Sequence, residues 1–129
     1  MPQDQESGAQ ANSFGRANAV RLAGAITARL VSQQGNEAIF QGRKTVLKSA
    51  REKTPSIGVS YKMLERLDSV IAAFELPNGR WRVMELDVGT FARNQRATRS
   101  KGSSAKKVGI VAKSVFLIEG RLLGEFRLA

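Results

Sequence analysis

Ser69-Val-Ile-Ala-Ala-Phe-Glu-Leu-Pro-Asn-Gly-Arg-Trp-Arg-Val-Met-Glu-Leu-Asp87 decides the fold. Residues 69–76 are dense in Val, Ile, Ala and Phe and long enough for a buried strand, and residues 80–87 form a second extended run. Pro77-Asn78-Gly79 separates them. Asn and Gly accept the left-handed dihedrals of a two-residue turn, so the stretch predicts a tight antiparallel hairpin closed at Asn78-Gly79. Val70, Ile71, Phe74 and Trp81 supply its apolar faces. Trp81 stands between Arg80 and Arg82, and an aromatic so placed could stack a base. A strand tryptophan more often belongs to the core, and that is the reading taken here.

Upstream, residues 1–12 are rich in Gln, Ser, Gly and Asn and read as a disordered tail, with 13–129 as one domain. Ser13 suits the N-cap of a helix running to about residue 32, with Ala19, Leu22, Ala23, Ile26 and Leu30 on one stripe and Gly35 just past its end. Residues 37–41 and 44–51 flank a hairpin turn at Gln41-Gly42-Arg43. Residues 56–60 make a third short strand, and 61–67 a short helix. Downstream, Thr90 caps a helix carrying Phe91, Arg93, Arg96 and Arg99. Residues 107–118 return to a strand-like pattern, and 121–128 close the chain as a last strand. The sum is an α+β fold, an N-terminal helix packed on a mixed or mostly antiparallel sheet.

Composition narrows the chemistry. The 129 residues contain neither Cys nor His, which removes disulfides, thiolate ligands and the commonest zinc ligand and general base. The N-terminus has no secretory signal pattern, and no apolar run approaches the ~20 residues of a membrane span, so a cytoplasmic protein without a membrane partner is expected. No cofactor is expected. Twenty-one basic residues against 11 acidic ones give a net charge of +10. That balance points to a nucleic acid, with an acidic protein partner as the alternative; a homodimer remains open.

The charge is also segregated. Between residues 88 and 118 there is no acid, and seven basic residues stand there: Arg93, Arg96, Arg99, Lys101, Lys106, Lys107 and Lys113. Arg93, Arg96 and Arg99 are spaced by three, which on a helix sets them along one face. Ser100, Ser103 and Ser104 add hydroxyl donors, so the segment 90–107 has the chemistry of phosphate contact, against the plain reading of a solvated loop. A second cluster comprises Arg43, Lys44, Lys48, Arg51 and Lys53. In strand alternation Lys44, Val46 and Lys48 share a face; an edge strand guarded by lysine is the plain reading. Candidate nucleic-acid contacts are therefore Arg93, Arg96, Arg99, Lys101, Lys106, Lys107, Lys44, Lys48 and Arg51. Glu85 and Asp87, two apart, read as surface acids.

Over residues 13–74 the order of elements resembles the core of restriction-endonuclease-like nucleases. The resemblance rests on a strand bearing Glu37, the strand Thr45-Val-Leu-Lys-Ser-Ala-Arg51 and the strand Asp68-Ser-Val-Ile-Ala-Ala-Phe74. It implies a DNA partner rather than RNA, with Lys48 in the place of the catalytic lysine and Glu37 in that of the first acid. Two residues before Lys48, where the resemblance asks for a second acid, stands Val46. Val46 has no oxygen for Mg²⁺. The expectation is a non-catalytic DNA-binding protein with no catalytic or metal-binding residue, which leaves plasmid DNA uncut. A metal-dependent nuclease using Glu37, Lys48 and either Glu85 or Asp87 is the alternative.

Overall fold

The 69–87 stretch does fold back on itself. In a computed structural model that describes residues 15–32, 35–97 and 107–128, helix α1 covers 15–26. It is followed by strands β1 (Arg29–Leu30), β2 (Glu37–Phe40), β3 (Arg43–Ala50) and β4 (Ser56–Ser60), then helix α2 (Tyr61–Leu64). Strands β5 (Ser69–Glu75) and β6 (Trp81–Asp87) come next, then helix α3 (Val88–Asn94) and the short strand β7 (Arg96–Ala97). Strand β8 (Val108–Ala112), helix α4 (Lys113–Glu119) and strand β9 (Arg121–Phe126) complete the order.

The main sheet is mixed and six-stranded, in the order β1-β2-β3-β5-β6-β9, and β4, β8 and β7 form a second, three-stranded sheet. β3 and β5 pair in parallel, and the other neighbours of the main sheet pair antiparallel. The fold is α+β, as its patterning requires. Strand alternation divides the core into two layers. Leu47, Ile71, Ala73 and Val83 face α1 and meet Ala19, Leu22 and Ala23, with Trp81 half-buried against them. Val46, Val70, Ala72, Phe74, Met84 and Leu86 face the other way. There they meet Ile57, Val59 and Val111 of the small sheet and Phe91 and Phe116 of α3 and α4.

Both hairpins form at the expected places, with one difference of detail. Gln41 and Gly42 take φ of 50° and 79°, as a two-residue turn of mirror-image type needs. At the β5–β6 turn only Gly79 is left-handed, at 81°. The Gly79 amide donates to the Leu76 carbonyl at 3.0 Å and the Leu76 amide to the Arg80 carbonyl at 2.8 Å. Pro77 and Asn78 thus form an ordinary turn and Gly79 a bulge, a three-residue loop rather than a two-residue one.

Four expectations about elements are corrected. α1 ends at residue 26, not near 32: Thr27 turns left-handed at φ 60°, and the Ala28 amide donates back to the Ala23 carbonyl at 2.9 Å. Leu30 therefore leaves the helical stripe, and Arg29–Leu30 add a strand to the sheet edge opposite Ile39 and Ala38. The helix expected from Thr90 is capped by Asp87 and stops at Asn94, so Arg96 lies on β7, and Arg93 and Arg96 share no helical face. The strand expected over 107–118 breaks at Ala112 into α4. There Phe116 drops into an aromatic pocket, edge-on to Phe74 at 5.5 Å and to Phe91 at 6.2 Å between ring centroids. Burial of that ring overrides the β preference of Val115 and Ile118. Ser13, the tail 1–12 and residues 98–106 of the basic segment lie outside the described residues.

Candidate functional site

Pairing register fixes which side chains share a face. Glu37 lies opposite Val46, and Lys48 follows two residues on, so Glu37, Val46 and Lys48 project from the same side of the β2–β3 hairpin. This is the side covered, further along, by the small sheet and α4. Lys48 is half-buried beside Val46 and Ala72, and among the described residues none gives it a hydrogen bond or ion pair. Desolvation lowers its pKa below the usual lysine value, and no anion among the described residues opposes the shift.

Glu37 is engaged. Arg66, just beyond α2, donates from Nε to Oε1 at 3.1 Å and pairs again through Nη2. The guanidinium hydrogen bond holds the Glu37 carboxyl below the usual range, against a smaller opposing effect of burial. Around this pair Arg29, Val31, Ile39 and Lys44 line a groove of about 310 Å³. It lies along β1, β2 and the start of β3.

Glu85 is on the other face. It stands opposite Ile71, whose side faces α1, so neither it nor Asp87 can converge on Lys48. Nor is Glu85 a surface acid as expected. It is 7% exposed, accepts Arg43 Nε at 3.0 Å and Nη2 at 2.7 Å, and accepts Ser69 Oγ at 2.8 Å and Arg121 Nη2 at 2.9 Å. Burial would raise its carboxyl, but these donors and the two guanidinium charges together hold it below the usual range. Asp87 caps α3 through Thr90, whose hydroxyl and amide lower its pKa.

The candidate nucleic-acid contacts separate into two groups. Lys44, Lys48 and Arg51 run along or just past β3, with Lys44 and Arg51 exposed. Arg93, Arg96 and Lys107 are exposed around α3, β7 and the start of β8. Arg99, Lys101 and Lys106 lie outside the described residues. Arg29 and Arg66 escaped sequence reading because one was assigned to a helix and the other looked like an ordinary surface cation.

Metal fit is poor. Mg²⁺ asks for several oxygens, whereas this region offers the Glu37 carboxylate, already held by Arg66, the Asp68 carboxylate, which accepts the Lys44 amide, and the hydrocarbon of Val46. Among the described residues no three acids group closely enough to hold a metal ion together. No helix of the described residues is long and apolar enough to cross a membrane.

No family model matches the sequence, and no curated protein does. Among solved structures the chain is similar to Hjc, a Holliday junction resolvase from the archaeal hyperthermophile Archaeoglobus fulgidus. Identity is 16%, the match covers 78% of this chain and 84% of that one, and the TM-score is 0.41. The likeness is one of fold. The matched chain is named as a resolvase, whereas the sequence reading expected a non-catalytic nucleic-acid binder; that expectation is set aside in favour of the nuclease alternative, which is taken up as a proposal.

Proposed function

We propose that the protein is a nuclease of the restriction-endonuclease-like class acting on DNA, with the Glu37–Lys48 face as its reacting edge. The observation that carries this reading is Lys48 itself: half-buried, without an anionic partner among the described residues, and on the same strand face as Glu37. An ammonium group kept partly out of water and unpaired is disfavoured in the resting protein. A phosphate arriving at that face would restore its preference for charge. In the reaction Lys48 would stabilise the negative charge that builds on the phosphoryl oxygens, a contribution largest where water is excluded. Glu37, once released by Arg66, is the carboxylate available on that face to orient a water.

The test is cleavage of linear duplex, supercoiled plasmid and a four-way junction with Mg²⁺ or Mn²⁺ and with chelator. The junction is included because the solved chain of similar fold is named for it. Cutting that copurifies with the protein is expected, and Lys48→Ala should slow it by about a hundredfold or more. Parent protein that cuts none of the three substrates would overturn the reading.

A further inference from the structure

The groove beside Glu37 is built unlike an ordinary patch of surface. Arg29 projects from β1 opposite Ile39, and Lys44 projects from β3 opposite Ile39 on its other side. Strand pairing therefore brings both cations to one face, three strand positions being held by two registers. Arg66 closes the groove from the end of α2. The acids nearby are spoken for: Glu37 by Arg66, and Asp68 by the Lys44 backbone amide, which donates to its carboxylate at 2.9 Å. Exposed Val31 and half-buried Ile39 give the groove an apolar floor. Three cations over apolar carbon, with only one acid in the lining, suit a polyanion that also presents flat, uncharged surface.

We infer that this groove binds a phosphodiester backbone through Arg29, Lys44 and Arg66, and that Arg66 passes from Glu37 to a phosphate when the ligand arrives. The inference rests on the nuclease reading and adds its entry site and a residue that couples binding to the acid. Arg66 is 50% exposed and lies past the last turn of α2, so its guanidinium can change partner without moving the sheet. A guanidinium fork fits phosphate oxygens as well as it fits a carboxylate. The exchange therefore keeps the hydrogen bonds on Arg66 and frees Glu37. In the unliganded protein Glu37 competes with the ligand.

That competition gives a test with an unusual sign. Binding of a fluorescein-labelled 20-base-pair duplex would be followed by anisotropy across a salt series without divalent ions. Replacing all three cations by Gln should weaken binding at least tenfold at low salt. It should also lower the slope of log affinity against log salt by about two to three, close to 0.9 per lost phosphate contact. Glu37→Gln should tighten binding several-fold. Glu125→Gln is the control: it removes the same charge and frees Arg82, its ion-pair partner on the far edge of the sheet, and should change nothing. A gain of affinity confined to Glu37→Gln cannot come from misfolding. Equal tightening in both variants, or an unchanged slope in the triple variant, would overturn the inference. Calorimetry with inorganic pyrophosphate separates a free phosphate compound from a nucleic acid. Pyrophosphate binding without duplex binding would overturn the backbone assignment. Binding that follows these variants while no protein cuts DNA would sink the nuclease reading alone. Cutting with unchanged KM in the triple variant would sink the groove alone.

Discussion

A carboxylate that leaves water must find donors for its lone pairs, and Glu85 finds four from three residues. Ser69 Oγ and Arg43 Nε share one oxygen, and the Nη2 atoms of Arg43 and Arg121 share the other, the two arginines reaching in from β3 and β9. Glu85→Gln keeps the shape but loses the charge that both guanidinium groups face. Those groups remain partly in water, at 36% and 56% exposure, so the cost should be modest, about 1.5–3 kcal/mol by urea melt. Because the folded carboxyl titrates below its unfolded value, its contribution is complete at neutral pH and is lost as pH falls through the carboxylate range. The parent should therefore lose stability between about pH 5 and pH 3 more steeply than Glu85→Gln. Parallel curves for the two proteins would show that the pair contributes nothing to folding. None of this was visible in the sequence, where Glu85 and Arg43 stand 42 residues apart. A two-residue spacing from Asp87 made Glu85 look like surface.

Among the elements, those whose cause is local were legible. The turns at Gln41-Gly42 and Asn78-Gly79, the alternation of β3 and the apolar run of β5 all carry their reason within a few residues. β1 and α4 do not. A two-residue strand has no period to read, and residues 113–119 hold Val, Phe, Leu and Ile that suit either element. What makes α4 a helix is the tertiary pocket for Phe116 between Phe74 and Phe91. Its exit is equally constrained. A Cβ on Gly120 would sit 2.4 Å from the Phe116 carbonyl oxygen and 3.1 Å from that of Glu85, both backbone atoms that cannot swing aside. Gly120→Ala should cost about 1–3 kcal/mol as the α4–β9 joint shifts. It should also weaken the Arg121–Glu85 contact one residue on, visible as a shallower acid limb in the same pH series. A melting point equal to the parent's would mean that the joint has slack to take up the extra methyl group. The candidate site was half legible. Glu37, Lys44 and Lys48 could be found by strand alternation, whereas Arg29 and Arg66 join them only through pairing registers and the short α2.

At the scale of the molecule, the main sheet places its one parallel pair at the centre. Each neighbouring pair on the β6 side depends on a different stretch of chain. β5 meets β6 across a three-residue loop, within reach of the microsecond times of isolated hairpins. β3 can meet β5 in parallel only after residues 51–68 have looped over with β4 and α2, and β9 returns to β6 from beyond α4. Closing such loops is slow, so folding should fall in the millisecond-to-second range of sheet-rich domains. The hairpin would lead and β9 would dock late. Gly79→Ala, which forces an alanine into a left-handed turn, should then act mainly by slowing refolding, whereas Leu123→Ala on β9 should act mainly by speeding unfolding. Stopped-flow measurements against urea resolve the two limbs, and effects on the same limb in both variants would refute this order. Until β9 arrives, β6 presents an open row of amide and carbonyl groups flanked by Val83, Met84 and Leu86, all bound for the core. During that interval a second refolding chain is as good a strand donor as the protein's own β9. Refolding yield should therefore drop with protein concentration, even though a net charge of +10 opposes non-specific association.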